Sequence, residues 1–511
     1  MISEKQIRKD YDYFKKIAGD YYYNGEIDEC IECIKTACTL AKTYYLDYTD
    51  DELEKQCLDI AELLCIDSYC ENMVDQSSDR VVYYDFFALD NVALTQQYLR
   101  ALMSWGKEIL FISPHHMETS KSNHIINEIE SSDVVTYCPI PSGLTSVERI
   151  QFICKAVSEF NPKVAFVHTA TDDVEGIIAW YGLKYIERFF VESIDHTFWI
   201  GAKGFDYYIL FRDYGFNVAN DYRNIPEEKL LIQMYYPIYD EGEYEGIPED
   251  DNNKVKLISG GRLIKTYSSD DGFFHIVRRI LESNPNSIFY YVGGGYVGEK
   301  GQTAHIRSLI AKYNLEKRYI LLGFRHDIAP LLEHMDIYIG TWPMCGGLMT
   351  QMAARAELPI IQYSKDGMGS SADDFLKKIE GRPQIVYNND EDGFYNKVSI
   401  LVNDIGLREK EGKALKKCVI DPIDFSSSLR KLVIEKKNTI VPTRYSVDIK
   451  QWRDNRIETE NVCEHLYQPI IARSQIMRKK KPLKYFVNSI QLIIYSDKKW
   501  LLGKVRKRLF K

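Results

Sequence analysis

Asp336-Ile-Tyr-Ile-Gly340, followed by Thr341-Trp-Pro-Met-Cys-Gly-Gly347, decides how this chain is to be read. The first five residues read as a buried strand. A helix is expected from about Leu348 to Ala356, and Pro359-Ile-Ile361 resumes a second strand. A Gly-Gly turn at a helix N-terminus exposes backbone N–H groups and the positive end of the helix dipole, an arrangement that holds phosphate oxygens. Earlier, Leu257-Ile-Ser-Gly-Gly-Arg262 ends another strand in glycines and an arginine, with Lys265 just beyond. Two such strand ends describe a pocket for a diphosphate, and so for a nucleotide.

A lone Gly-Gly is more often a plain turn; the order of the surrounding elements carries the reading. After Arg262 come a helix from Asp271 to Ser283, the strand Ser287-Ile-Phe-Tyr-Tyr-Val292 and the turn Gly293-Gly-Gly295. A helix from Thr303 to Tyr313, the strand Tyr319-Ile-Leu-Leu322, the loop Gly323-Phe-Arg-His-Asp327 and a short helix to His334 lead into Asp336. This alternation specifies a parallel sheet with crossover helices, whose ligands sit at the carboxyl ends of the strands.

With those residues in place, the stretch from about Lys254 to Tyr387 resembles the C-terminal half of GT-B nucleotide-sugar glycosyltransferases, in particular bacterial family-4-like enzymes. The resemblance implies an α/β fold of two Rossmann-like domains facing a cleft. It implies that Gly261, Arg262 and Lys265 bind the donor diphosphate and that Gly346, Gly347 and Thr350 cradle it. Gly294, Phe324 and Arg325 then lie on the donor side, the last two where base contacts are expected, although Arg325 and His326 also read as solvated turn residues. Two departures stand out. Many retaining members carry two glutamates across the last motif, and counting back from Pro359 places Met344 and Met352 there. Protein O-GlcNAc transferase-like enzymes have a Gly-His-Thr-Thr-Gly run instead, and Gly347-Leu-Met-Thr-Gln351 keeps one Thr and loses the His.

A first Rossmann-like domain is expected from Arg80, with strands at Val81-Val-Tyr-Tyr-Asp85, Glu108–Ile112, Asp133–Tyr137 and Lys163–His168, and a helix from Asn91 to Trp105. Phe189 through Gly201 resembles the region where GT-B enzymes bring a histidine to the donor sugar, followed by the strand Asp206–Leu210. Three readings stand for His196: general base, ligand of a sugar hydroxyl, or buried structural histidine. Asp195 is the alternative base, and His168 reads as a satisfied strand-end histidine. The acidic stretch from Tyr239 through Asn252 is a polar linker. The expected domains are therefore 1–79 (helical), 80–250 (acceptor side), 251–440 (nucleotide-sugar side) and 441–511 (C-terminal helices with a basic tail).

At 511 residues, 45% hydrophobic and 27% charged, the chain has globular composition and exceeds one ordinary core. Met1-Ile-Ser-Glu-Lys-Gln6 is no apolar signal segment, and no run reaches the ~18 apolar residues that a membrane span needs. Eleven scattered cysteines read as reduced thiols of a cytoplasmic protein. Cys30-x-x-Cys33 sits at helical spacing with Leu40 and Ala41 and reads as core, since no second pair or nearby His completes a metal set. Asp20-Tyr-Tyr-Tyr-Asn-Gly25, before Ile27, is similar to the helix junction of a tetratricopeptide repeat. So short a repeat cannot bury a core alone and should dock on the next domain.

The C-terminus has a different chemistry. Arg473 to Lys511 holds thirteen Lys or Arg against one acidic residue, Asp497, in a chain of net charge −9. Apolar residues such as Phe486, Trp500 and Phe510 lie between the charges, a pattern suited to a helix on an anionic membrane surface. A solvated helix capping the acidic N-terminal domain is the plainer alternative. Nucleic acid is not expected, because the acidic body would repel it.

Two functions follow from the resemblance. One is transfer of a sugar from a nucleotide donor, UDP-linked by expectation, to a cell-surface glycan, a lipid-linked acceptor or a protein. It would use neither cofactor nor metal and would take place in the cytoplasm or at the inner membrane face. The other is an inactive GT-B-like binding or chaperone subunit of a glycosylation complex.

Overall fold

The computed structural model describes residues 2–70, 79–90, 94–113, 123–238, 242–249, 253–294, 300–365, 371–438, 440–459, 467, 470–471, 474–483 and 485–487. Three helices come first: α1 (Glu4–Tyr23), α2 (Ile27–Tyr44) and α3 (Asp51–Leu63). Ser3 and Asp50 cap α1 and α3 by accepting from backbone N–H groups that a helix start leaves unpaired. Gly25, at φ +76°, makes the left-handed turn that folds α2 back on α1. Cys30 and Cys33 are fully buried among Ile7, Phe14 and Ile34, and burial pushes the Cys30 thiol up to about 12.

Seven strands follow: β1 (Val81–Asp85), β2 (Ile109–Ser113), β3 (Val135–Pro139), β4 (Val164–His168), β5 (Glu187–Val191), β6 (Tyr207–Leu210) and β7 (Leu230–Ile232). They form one sheet in the order β3-β2-β1-β4-β5-β6-β7. The second sheet holds β8 (Val255–Gly260), β9 (Ser287–Val292), β10 (Tyr319–Gly323), β11 (Ile337–Ile339), β12 (Ile360–Ser364) and β13 (Val386–Asn388), in the order β10-β9-β8-β11-β12-β13. Every pairing is parallel, with Val82 opposite Leu110 and Ala165, and Leu257 opposite Phe289 and Ile337. Runs such as Val-Val-Tyr-Tyr and Ile-Phe-Tyr-Tyr-Val are buried throughout, as strands covered on both faces must be.

One apolar core lies between α1–α3 and the first sheet, one is shared by both sheets, and a third covers the outer face of the second. The N-terminal helices are thus docked on the first sheet. In each sheet the strand order reverses beside the first strand, between β1 and β4 and between β8 and β11, and a crevice opens at such a point above the strand ends. After the second sheet the chain returns to the first. The Tyr222 hydroxyl donates to the Val447 carbonyl at 2.6 Å and Asn217 to the Thr443 carbonyl at 2.8 Å. A C-terminal helix, Ile449–Thr459, then packs on α2.

Element boundaries differ from expectation by a few residues. The helix after Gly346 starts at Gly347, and the one expected from Asn91 begins at Thr95 after a segment outside the described residues. Most of the basic tail, including Trp500 and Phe510, also lies outside them.

Candidate active site

A cleft of about 550 Å³ opens between the carboxyl ends of the two sheets. The second sheet supplies Gly261, Arg262, Lys265, Gly293, Gly294, Phe324, Arg325 and the run Met344 to Met349. The first supplies Ser193, Asp195, His196, Phe211 and Arg212, and the C-terminal helix adds Trp452. The cleft therefore brings together ten of the eleven residues singled out in the sequence; Thr350 is the exception.

The anion-binding side is built at the β8/β11 reversal. Gly261 has φ +123° and Gly293 φ +114°. A Cβ on Gly293 would lie 2.3 Å from the Gly261 carbonyl oxygen, so the two strand-end turns meet too closely for side chains. Arg262 is exposed at the rim. Lys265 is half-buried, and its Nζ donates to the Cys345 carbonyl at 3.1 Å. Burial, with Arg212 and Arg262 nearby, lowers its ammonium below the ordinary lysine value. Gly346 opens the Gly347 helix with no side-chain cap, and Gly346 to Met349 line the cleft. An uncapped helix start beside two cations is an anion site by electrostatics alone.

The opposing side is built around His196. Its ring is 28% exposed, and its Nδ1 lies 3.2 Å from Asp195 Oδ1. Asp195 is fully buried. Arg212 binds it through two nitrogens, Nε to Oδ2 and Nη2 to Oδ1 at 2.8 Å. Burial works to raise the Asp195 carboxyl, but the Arg212 guanidinium and the hydrogen bonds from His196 and Arg212 outweigh it and hold the group well below the usual carboxylate range. A carboxylate so held is a poor proton acceptor, so the expectation of Asp195 as a base is corrected: its geometry is that of a group that orients His196. With Asp195 ionised, the Nδ1–H of His196 donates to it.

Two donor-side expectations also change. Thr350 is fully buried behind the helix start, with its Oγ1 3.6 Å from Cys345 Sγ, so it offers nothing to the cleft. Arg325 lines the cleft, yet its guanidinium is engaged elsewhere. It binds Asp327 at 2.6 and 2.5 Å and the Gly246 carbonyl at 2.7 Å, so its charge ties the interdomain segment to the second sheet. Phe324 is 61% exposed, a ring left open to stack at the cleft edge. His168 is buried, 2.9 Å from Asp85, and does not line the cleft.

Arg212 and Trp452 escaped the sequence reading. Arg212 follows β6 directly, the same strand-end placement that marked Arg262, and that signal could have found it. Trp452 sits in a polar helix with no local sign of function. Among the described residues, no three His, Cys, Asp or Glu side chains converge to hold a metal ion.

No protein-family model matches the sequence, and no curated protein matches it. Solved structures match the fold. Anabaena HepE, in complex with UDP and glucose, is 13% identical, covers 69% of this chain and 99% of its own, and has a TM-score of 0.52. A Rickettsia africae glycosyltransferase is 14% identical over 70% and 98% of the two chains, with a TM-score of 0.52. A Thermobaculum terrenum O-GlcNAc transferase mutant, 13% identical, covers 88% of this chain and 85% of its own, with a TM-score of 0.53. The fold is GT-B, two Rossmann-like domains facing a cleft behind an N-terminal helical segment.

Proposed function

We propose that this protein is a glycosyltransferase that moves a sugar from a nucleoside diphosphate carrier to an acceptor hydroxyl. One observation carries the reading: an uncapped helix start flanked by Arg262 and Lys265 faces His196, whose Nδ1 is tied to an ionised Asp195. The UDP bound by HepE supports UDP as the carrier. The acceptor hydroxyl oxygen attacks the anomeric carbon, the bond from that carbon to the diphosphate oxygen breaks, and its electron pair leaves on the diphosphate. Arg262, Lys265 and the Gly347 helix dipole stabilise that charge, which is why the reading calls for no metal. His196 Nε2 takes the acceptor proton; where His196 instead binds a sugar hydroxyl, the departing diphosphate takes that proton.

The acceptor we favour is a cell-surface glycan, a lipid-linked acceptor or a protein. Attachment to an anionic membrane face is part of the proposal: Leu483, Phe486 and Val487 are exposed apolar residues just after the basic run Arg478 to Lys481. Among the described residues no helix is long and apolar enough to cross a membrane.

A second reading rests on Met344 and Met352, which line the cleft where many retaining enzymes carry glutamates. It makes the chain a nucleotide-binding subunit without turnover. A panel of nucleotide sugars, followed for hydrolysis and transfer, separates the two. Turnover of at least one UDP-sugar is expected; UDP binding with no turnover across the panel would favour the second reading.

A further inference from the structure

The stretch that carries His196 is shaped by parts of the chain that belong to neither sheet. From Ser193 to Ala202 the backbone forms no regular element, so its polar groups must find partners elsewhere. The N-terminal helices and their connections supply several of them. Thr197 Oγ1 donates to the Lys42 carbonyl at 2.6 Å, and the Trp199 N–H to the Tyr48 carbonyl at 3.4 Å. One oxygen of Glu54 accepts from the Gly201 and Ala202 N–H groups, both at 2.9 Å. The other accepts from the Tyr181 hydroxyl. Glu54 is 1% exposed, and a carboxylate that deep is tolerable only while its hydrogen bonds are made. The far end of the His196 stretch is thereby pinned to α3.

The imidazole is enclosed from the same direction. Tyr45 ends α2 with φ +50°, a left-handed conformation uncommon for a residue with a Cβ. That turn carries its ring to 5.7 Å from the His196 ring, edge to face at 78°. The Trp452 ring lies 6.1 Å from His196 and 6.4 Å from Tyr45. Its helix is fastened to the end of α2: Arg453 donates to the carbonyls of Tyr45 and Leu46 at 3.1 and 2.5 Å, and Arg456 to that of Thr43 at 2.7 Å.

We infer that the N-terminal helices, with the C-terminal helix fastened to them, are a built-in positioning device for His196 and not an appended binding module. Glu54 anchors the stretch, and Tyr45 with Trp452 fixes the plane of the ring. These are positioning residues, acting through His196, and the inference rests on the reading of His196 as the group that meets the reacting sugars.

The test uses the full chain and the variants Trp452→Ala, Trp452→Phe, Glu54→Ala and Glu54→Gln. Carbethoxylation of His196 by diethyl pyrocarbonate, followed by peptide mass spectrometry, reports the packing of the ring without any need for turnover. UDP affinity by calorimetry reports the opposite wall of the cleft. Trp452→Ala is expected to speed His196 modification several-fold, with Trp452→Phe restoring most of the protection and UDP affinity unchanged in both. On whichever UDP-sugar is turned over, both alanine variants should lose about 10- to 100-fold in kcat with little change in donor KM, and Glu54→Gln should recover part of it. If Glu54→Ala does not fold, the Trp452 pair decides. Unchanged modification in Trp452→Ala would overturn the inference, and so would a parallel loss of UDP affinity, which would signify general loosening. Failure of the unaltered protein to bind UDP would instead remove the proposed function, while the modification rates still decide the positioning role.

Discussion

Lys265 keeps its ammonium partly out of water, against the Cys345 carbonyl, in a cleft that also holds three arginines. Burial, assisted by Arg212 and Arg262, lowers its titration, so the proton leaves at a lower pH than from a free lysine. A diphosphate binds the ammonium and not the amine. UDP affinity is therefore expected to fall as pH rises through the lowered lysine range, with proton uptake on binding there. Calorimetry in buffers of different ionisation enthalpy measures that uptake. Lys265→Arg, charged at every accessible pH, should abolish the alkaline loss; an affinity that ignores pH in the native protein would remove Lys265 from the phosphate site. Arg262 lies at the rim, and Arg262→Ala should weaken UDP binding by about 1.5–3 kcal/mol, the range for a charged hydrogen bond. Unchanged affinity would sink that assignment.

The Gly347 helix joins sequence, packing and ligand in one element. Gly347 and Gly346 look equivalent in the sequence and are not. A Cβ at Gly347 would lie 2.4 Å from the Phe375 ring, whereas one at Gly346 would meet nothing nearer than 3.4 Å. In the sequence Gly347 reads only as part of the phosphate cradle. The packing predicts instead that Gly347→Val overpacks the helix against Phe375 and lowers stability by about 1–3 kcal/mol. Gly346→Ala should melt close to the native protein. Thermal unfolding of the two variants checks this, and equal melting temperatures would mean that Phe375 yields without cost.

At the scale of the whole molecule, a basic, partly apolar tail follows an acidic body. Each basic residue near an anionic surface adds on the order of 1 kcal/mol, screened by salt. Full-length protein should sediment with anionic liposomes at low salt and be released at high salt, and protein ending at residue 472 should stay in solution. Equal sedimentation of both would make the tail structural and turn attention to a soluble acceptor.

The alternation of buried β-branched and aromatic strands with helices, and the glycines that end β8 and open the Gly347 helix, were legible in the sequence because they are local. A strand covered on both faces must be apolar throughout, and a turn that meets another backbone must be glycine. His196 could be placed near the cleft only by resemblance, and its surroundings could not be read at all. Asp195 looked like a base until Arg212 proved to hold it; Thr350 and Arg325 looked like ligands until their polar groups proved to be engaged elsewhere. Glu54 and Trp452 lie 142 and 256 residues from His196 in the chain. Their part in the site is decided only when the helices dock on the first sheet and the C-terminus returns to it, since spacing along the chain encodes elements and their ends, while packing alone decides which distant side chains meet.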